Sequence, residues 1–356
     1  MAKKNHTVDV DKLTNFTTKV LQKMGVSEEE ARITARILVA ADLRGVDSHG
    51  VAHLAPFYVK RIKAGLINVK PELKIFSQAP ATAVMDGDHG LGFVVGYRAM
   101  MEAMRRAKIT GAGLVAVRNS THFGAGAYYA MMALSRDMIG ISLTQGGRGI
   151  VAPGSRGKGI GLNVISIAVP AKEEAPFVLD MATGVVAAGK LELARRNGIP
   201  IPQGWAVDMD GNPTTDATKV AGGILPLGGT PQLGVYKGFG LTVAVDILCS
   251  TLSRGLTVPE MESGPSVKGK ANHFFGALRI DSFMPTDKFK KRMDYMIKAH
   301  HNLPKAPGVH KIYLSGEIEH AIEKKRRGGI LLHPTVITSL RQLSKELDVE
   351  YNLERK

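Results

Sequence analysis

The chain is poor in cysteine, in aromatic residues and in acidic charge. Cys249 is the only cysteine among 356 residues. That excludes a disulfide within the chain and any cysteine-rich metal centre, and it fits a reducing compartment. Aromatic residues make up 6%. Acidic residues number 32 against 47 Lys and Arg, a formal charge of +15. Such a balance suits nucleic acid, a membrane surface or small anions. Nucleic-acid binders concentrate the charge and interleave aromatics with it. Here it is scattered, with modest clusters at Lys288–Arg292 and Lys324–Arg327 that read as solvated helix faces. No nucleic-acid partner is expected, and a polyanion-binding role rests on net charge alone.

Long hydrophobic runs are missing as well. The longest, Gly240–Leu252, is interrupted by Asp246 and is too short to span a bilayer. The start, Met1-Ala-Lys-Lys-Asn-His6, leads into amphipathic sequence without the apolar core of a signal peptide. A cytoplasmic protein without membrane contact is expected.

What is present is globular: 44% hydrophobic and 22% charged residues, enough chain for two or three lobes. Asp9 or Asp11 can cap a first helix carrying Leu13, Phe16, Val20 and Leu21, closed by Gly25. Ser27 and Glu30 form a capping box for a second, ending near Arg44-Gly45. Leu54, Phe57, Tyr58 and Ile62 recur at helical spacing as far as Gly65. From Ile75 the texture changes. Ala83–Met85, Leu114–Val117, Ile139–Leu143, Val164–Val169, Phe177–Asp180 and Phe274–Ile280 read as strands. Helices are expected over Gly96–Lys108, Val185–Arg196, a buried Leu241–Leu252, Lys288–His300, Ile318–Arg326 and Thr335–Leu347, with Gly222–Tyr236 an ordered loop.

Two nucleotide signatures nearly match. Gly111-Ala-Gly113-Leu-Val-Ala116 has the letters of a dinucleotide fingerprint, but a helix precedes it and a strand follows, the reverse of what places pyrophosphate on a helix N-terminus. Gly184-Val-Val-Ala-Ala-Gly-Lys190 resembles a P-loop, with Leu191 in place of the magnesium-binding hydroxyl. Metal-ligand spacing is lacking: on a helix the adjacent His300 and His301 point about 100° apart. No Gly-x-Ser-x-Gly elbow is present.

The chemistry-bearing residues stand at element ends: Asp47-Ser48-His49, His122, Thr144-Gln145, Asn163, Asp180 and Lys237. His122 follows the strand ending in Leu114–Val117 and is backed by Gly124 and Gly126. An imidazole there can exchange a proton with a carbinol oxygen near neutral pH. Ser48 and His49 can orient a carboxylate or polarise a carbonyl.

Together these segments resemble one family. Leu43-Arg-Gly-Val-Asp-Ser-His-Gly-Val51, Thr121-His-Phe-Gly124, Val178-Leu-Asp-Met-Ala-Thr183, Gly198-Ile-Pro-Ile-Pro-Gln-Gly-Trp205, Pro226-Leu-Gly-Gly-Thr230 and Lys237-Gly-Phe-Gly-Leu241 are similar to motifs of the type-2 malate/L-lactate dehydrogenases. They run in order across about residues 8–350. The resemblance implies an NAD- or NADP-dependent oxidoreductase acting on a 2-oxo/2-hydroxy acid pair, commonly a cytoplasmic homodimer. It implies a non-Rossmann α/β fold with a mixed sheet core and helical ends. The expected division is a helical segment 1–74 packing with helical 287–356, around a core of 75–286.

By the match, His122 resembles the family's general acid–base residue, and Ser48 and His49 its substrate and nicotinamide pocket. Asp180, Met181, Ala182 and Lys237 match cofactor-binding positions. Thr144, Gln145, Ser315, Gly316 and Glu317 fall where the family also meets cofactor, and no metal is implied. There are departures. His53 stands where many relatives have an arginine suited to a substrate carboxylate, and imidazole is a poorer bidentate clamp than guanidinium. Gly161-Leu-Asn-Val164 replaces Gly-Thr-Asn-Pro, Thr144-Gln145-Gly146 is unusual beside cofactor, and Ser315 stands where proline is common. These changes leave the reaction class and open the substrate, with a cyclic imine carboxylate as the alternative to a 2-oxo acid.

Overall fold

A computed structural model of the chain describes residues 6–220, 222–261 and 271–353. The basic start at Met1–Asn5 and the last three residues of the 287–356 segment lie outside them. Seven strands form the central sheet, in spatial order Lys74–Ala79, Thr82–Asp86, Ala112–Ser120, Ala271–Arg279, Met138–Gln145, Val164–Val169 and Phe177–Ala182. Only Thr82–Asp86 and Ala112–Ser120 run parallel, and the other neighbours are antiparallel. The parallel pair needs a crossover, supplied by the helix Gly92–Thr110. A mixed sheet with one parallel pair is not a doubly wound nucleotide fold, so the expected non-Rossmann α/β architecture is what forms.

The rejected fingerprint has its own explanation. Gly111 ends the Gly92–Thr110 helix at φ +84°, and the strand Ala112–Ser120 follows at once. A Cβ on Gly113 would lie 2.0 Å from the Ala103 carbonyl oxygen. The glycine lets the strand lie flush against its own helix.

The helical ends share one core. Asp9 caps the helix Val10–Lys23 by accepting from the Asp11 and Lys12 amides, and Ser27 caps Glu28–Leu43 through the Glu30 amide. Their buried faces meet Gly92–Thr110 and the last helix, Pro334–Leu347, in one apolar cluster. The short strand His6–Val8 pairs with Ile330–Leu332. The helix Thr286–His301 docks elsewhere: Asp294 accepts from the amides of Lys172, Glu173 and Glu174.

Four sequence expectations change. The helix expected from Val185 begins only at Ala188. The residues before it are taken by Gly184 bridging Pro226 and by the Val185 amide donating to Leu225. Gly222–Tyr236 is not all loop: Gly223–Ile224 is a strand, and Val235 starts a helix. That strand belongs to a five-stranded sheet with Arg148–Val151, Lys158–Gly161, Ala206–Val207 and Pro213–Thr214, whose short members offer no alternation to read. The Leu241–Leu252 helix spans Val235–Asp246 and continues as a π turn, Ile247–Thr251. It is buried on one side only: Val245 and Cys249 face the sheet, whereas Tyr236, Ile247 and Leu252 are exposed. Finally, the helical spacing at Leu54–Ile62 resolves into a π turn, Leu54–Val59, and one α turn, Lys60–Lys63. Among the described residues no helix is long and apolar enough to cross a membrane.

Candidate active site

His122 stands between the strand Ala112–Ser120 and the helix Gly126–Met132. Three neighbours fix its place. Tyr58 Oη lies 2.7 Å from its Nδ1, and the Gly124 amide points at the same nitrogen from 3.4 Å. The Phe57 ring meets it edge-on with centres 5.4 Å apart. Nε2 has no hydrogen-bond partner among the described residues and is left to a cleft of about 710 Å³, which His122 lines together with His49, Phe57 and Arg61.

His49 lies on the opposite wall, its ring stacked near that of His122 with centres 5.7 Å apart. Ser48 Oγ is 3.0 Å from His49 Nδ1. The turn that carries them, Asp47–His49, is held from below by the fully buried Asp42, which accepts from the Val51 amide at 2.8 Å. Burial pushes the Asp42 carboxyl up to about 8. From outside, Arg326 pairs with Asp47 and donates to the Asp42 carbonyl, while Arg44 pairs with Glu323 at 3.0 Å. Both partners belong to the helix Glu317–Arg326 or its close.

Burial also sets the proton chemistry. It lowers His122 to about 3, with His49, His53, His273 and Arg61 acting in the same direction. His49 is lowered mainly by burial and then by His53. The cleft thus holds its imidazoles neutral. Beneath His122 a second buried histidine, His273, spans the sheet: Nδ1 is 2.8 Å from Thr144 Oγ1 and Nε2 2.8 Å from Ser120 Oγ. Its ring stacks on Phe123 with centres 4.5 Å apart. His273 therefore ties the strand end that carries His122 to the strand end that carries Thr144.

The far arm of the cleft begins at the glycine turn after Thr144-Gln145. Gly146 N donates to Asn163 Oδ1 at 3.2 Å, and Asn163 Nδ2 donates to the Thr242 carbonyl at 2.8 Å. Arg148, Lys158 and Arg195 line this arm.

The model of the malate/L-lactate dehydrogenase family matches residues 8–341. This chain belongs to that family. A malate dehydrogenase of Pyrococcus horikoshii is 43% identical over 348 residues, 96% of each chain. An L-sulfolactate dehydrogenase of Methanocaldococcus jannaschii is 41% identical, covering 92% of this chain and 93% of its own. The solved malate dehydrogenase of Entamoeba histolytica superposes with a TM-score of 0.92 at 33% identity, covering 98% of this chain and 99% of that one. A delta1-piperideine-2-carboxylate reductase of Pseudomonas syringae, at 24% identity and a TM-score of 0.84 over 95% of this chain and 99% of its own, shares the fold.

The chain is therefore a 2-hydroxy acid dehydrogenase, and the family implies a nicotinamide cofactor. The dehydrogenase's cleft suits such a group: the glycine turn after Gln145 and the cations Arg148, Lys158 and Arg195 line it, a donor set fit for a diphosphate. Of the residues singled out in the sequence, His49, His122, Thr144 and Gln145 line the cleft. The Gln145 side chain turns away into a buried network with Asp246 at 2.6 Å and Asn272 at 2.6 Å, so its backbone is what the cleft meets. Asp180 is not among the lining residues; it accepts from Ser166 Oγ at 2.6 Å and the Ala127 amide at 3.0 Å, and so anchors the helix that follows His122. Met181 and Ala182 continue its strand against Ile165 and Val164.

Lys237, Ser315, Gly316 and Glu317 are not among the lining residues. Lys237 is exposed beside Tyr236. Ser315 accepts from the Val178 amide on the outer strand, and Glu317 is bound to His301 at 2.7 Å. Sequence reasoning missed Asp42, Arg61, Arg148, Lys158, Arg195 and His273. For Arg61 a signal existed, because His53, Phe57 and Arg61 are spaced by four directly after the Ser48-His49 motif.

Proposed function

We propose that this dehydrogenase uses NAD or NADP to interconvert a 2-oxo acid and its 2-hydroxy acid, with His122 handling the proton. The observation that supports the reading is a buried imidazole lining the cleft, whose Nδ1 is engaged by Tyr58 and whose Nε2 has no hydrogen-bond partner among the described residues. When bound, the nicotinamide supplies or takes the hydride. The protein's part is orientation and proton movement. In reduction, His122 as imidazolium passes its Nε2 proton to the carbonyl oxygen as the C2 carbonyl becomes an alcohol, and is left neutral. In oxidation, Nε2 takes the hydroxyl proton. Ser48 and His49, on the facing wall, orient the substrate's oxygens. Arg148, Lys158, Arg195 and the backbone at Thr144-Gln145 are suited to the cofactor's charged arm, with Asp180, Met181 and Ala182 as the strand beneath it. Lys237 and Ser315-Gly316-Glu317 keep their cofactor assignment as part of this reading. The helical ends act as one unit around the 75–286 core. The exposed apolar side of the Val235–Asp246 helix, with Tyr236 and Leu241 and continuing to Ile247 and Leu252, supports a homodimer.

The test is loss of reduced-nicotinamide absorbance with NADH or NADPH and a panel of 2-oxo acids. Turnover with one acid, reduced by roughly 100-fold or more in His122→Ala, is expected for a lost acid–base group. Silence with every 2-oxo acid, beside reduction of a cyclic imine carboxylate, would overturn the substrate class. Unchanged turnover in His122→Ala would overturn the catalyst.

A further inference from the structure

Among the sheltered arginines of the described residues, one, on the cleft wall, has no carboxylate of its own. Every other buried or half-buried arginine among the described residues is ion-paired: Arg44 with Glu323, Arg106 with Glu102, Arg118 with Asp86, Arg279 with Asp281 and Arg326 with Asp47. Arg61 is half-buried and makes no hydrogen bond or ion pair with any described residue. Taking a charge out of water without a partner is costly, and burial lowers the Arg61 guanidinium accordingly. A fold that pairs its other sheltered arginines leaves this one open, on the wall of the cleft that holds His122.

Its surroundings fix its direction. The guanidinium carbon lies 5.0 Å from the centre of the Phe57 ring, a cation–π contact that holds the side chain without using its N–H groups. Phe57 in turn stands 5.4 Å from the His122 ring. Arg61 and His122 therefore flank one aromatic ring and face one cavity. The π turn Leu54–Val59 supplies this geometry by presenting Phe57 and Tyr58 together beside His122. The only acidic side chain lining the cleft, Glu192, is already paired with Arg195 and Arg196. His53, which stacks near His49 and is lowered by burial, offers no fixed positive charge.

We infer that Arg61 receives the carboxylate of the substrate and sets its C2 oxygen before His122 Nε2. A planar fork of N–H donors matches a carboxylate bidentately, which the neutral imidazoles nearby cannot do. The assignment rests on the 2-oxo acid reading above, and gives the anion-holding role to the α turn Lys60–Lys63 that follows the π turn.

Two measurements separate this inference from that reading. The first is calorimetric binding of oxamate, a non-reacting carboxylate, to the intact protein with NADH present. Wild type should bind, Arg61→Gln should weaken binding by about 10-fold to 100-fold, as for a lost charged hydrogen bond, and Arg61→Lys should recover part of it. Reduced-nicotinamide fluorescence in the variants checks that the cofactor is still taken up. The second is the ratio of kcat/KM for a 2-oxo acid to that for its methyl ester, which Arg61→Gln should collapse toward one. Equal oxamate binding by wild type and Arg61→Gln, no binding by wild type, or an unchanged acid-to-ester ratio would overturn the role of Arg61. Absence of turnover by wild type, with oxamate binding still lost in Arg61→Gln, would instead overturn the dehydrogenation of 2-oxo acids and leave the anion site standing.

Discussion

Tyr58 and His122 form a pair in which the tyrosine adapts to the histidine. Oη lies 2.7 Å from Nδ1, and among the described residues it has no other partner. A hydroxyl can donate or accept. When Tyr58 donates, the neutral ring carries its proton on Nε2, toward the cleft. When Tyr58 accepts, Nδ1 is protonated and Nε2 offers a lone pair. The Gly124 amide at 3.4 Å favours the first arrangement. Burial raises the Tyr58 hydroxyl well above the usual tyrosine range, so the residue orients the ring and does not surrender its own proton.

Tyr58→Phe should accordingly lower kcat by about 10-fold, the cost of one hydrogen bond of roughly 1.4 kcal/mol. Its effect on cofactor affinity should be small, since Tyr58 does not line the cleft. Steady-state kinetics in both directions test this. An unchanged kcat would mean that Phe57 and Gly124 alone hold the ring.

The two directions should differ in their response to pH. His122 is lowered to about 3 in the free cleft, chiefly by burial. It is already the neutral base through the neutral range, so kcat/KM for oxidation should lack a limb from this residue between pH 8 and about 5. Reduction needs the added proton, whose occupancy falls tenfold per unit above that value. Its kcat/KM should decline by about tenfold per pH unit over the same range. A titration near 6.5 in both directions would show that His122 is solvated like a free imidazole.

His273 offers a stability test apart from catalysis. Its pKa in the fold is about 3 because it is buried, against 6.5 for an ordinary histidine. Between those values the unfolded chain binds the proton and the folded one does not. Its contribution to stability is therefore present above pH 6.5 and lost as pH falls toward 3, by about 1.4 kcal/mol per pH unit. Other groups titrate there too, Asp42 in the opposite sense, so the quantity to measure is a difference. Urea unfolding of wild type and His273→Gln at several pH values should give curves that converge as pH drops from 7 to 4.5. Parallel curves would rule out a neutral buried His273.

Gly50 is a glycine for room, since its φ is an ordinary −91°. A Cβ there would lie 2.0 Å from Asp42 Oδ1. Gly50→Ala must displace either the buried carboxyl or the turn that carries Ser48 and His49. We expect a loss of about 1–3 kcal/mol, typical of overpacking, together with a raised KM for substrate. Thermal unfolding beside kinetics checks it, and a variant with wild-type values in both would refute the packing argument.

The parts of the site legible in the sequence were those built from short continuous motifs. Asp47-Ser48-His49 and Thr121-His-Phe-Gly124 each place reactive groups beside glycines on a tight turn, so their neighbours in sequence are also their neighbours in space. Six of the seven central strands were readable from short apolar stretches, whereas the edge strand Lys74–Ala79 was not. The five-stranded sheet was not, since two-residue strands such as Ala206–Val207 and Gly223–Ile224 carry no period. Arg61 and Tyr58 were hidden for another reason. Read at 3.6 residues per turn, Tyr58 and Ile62 belong to a core stripe, and only the wider π turn turns Phe57 and Tyr58 toward His122. His273 gave no local sign, because its partners Ser120 and Thr144 lie more than a hundred residues away along the chain.

The grip of Arg326 on Asp47 and on the Asp42 carbonyl also carries a consequence for the timing of synthesis. The turn bearing Ser48 and His49 leaves the ribosome well before the helix that clamps it, since Arg326 follows Asp47 by 279 residues. A nascent chain stalled before residue 326 can hold its first two helices and much of the sheet and still lack a fixed substrate wall. Catalytic competence thus waits for that helix, and chains broken off short of it are left with the two walls of the cleft unregistered.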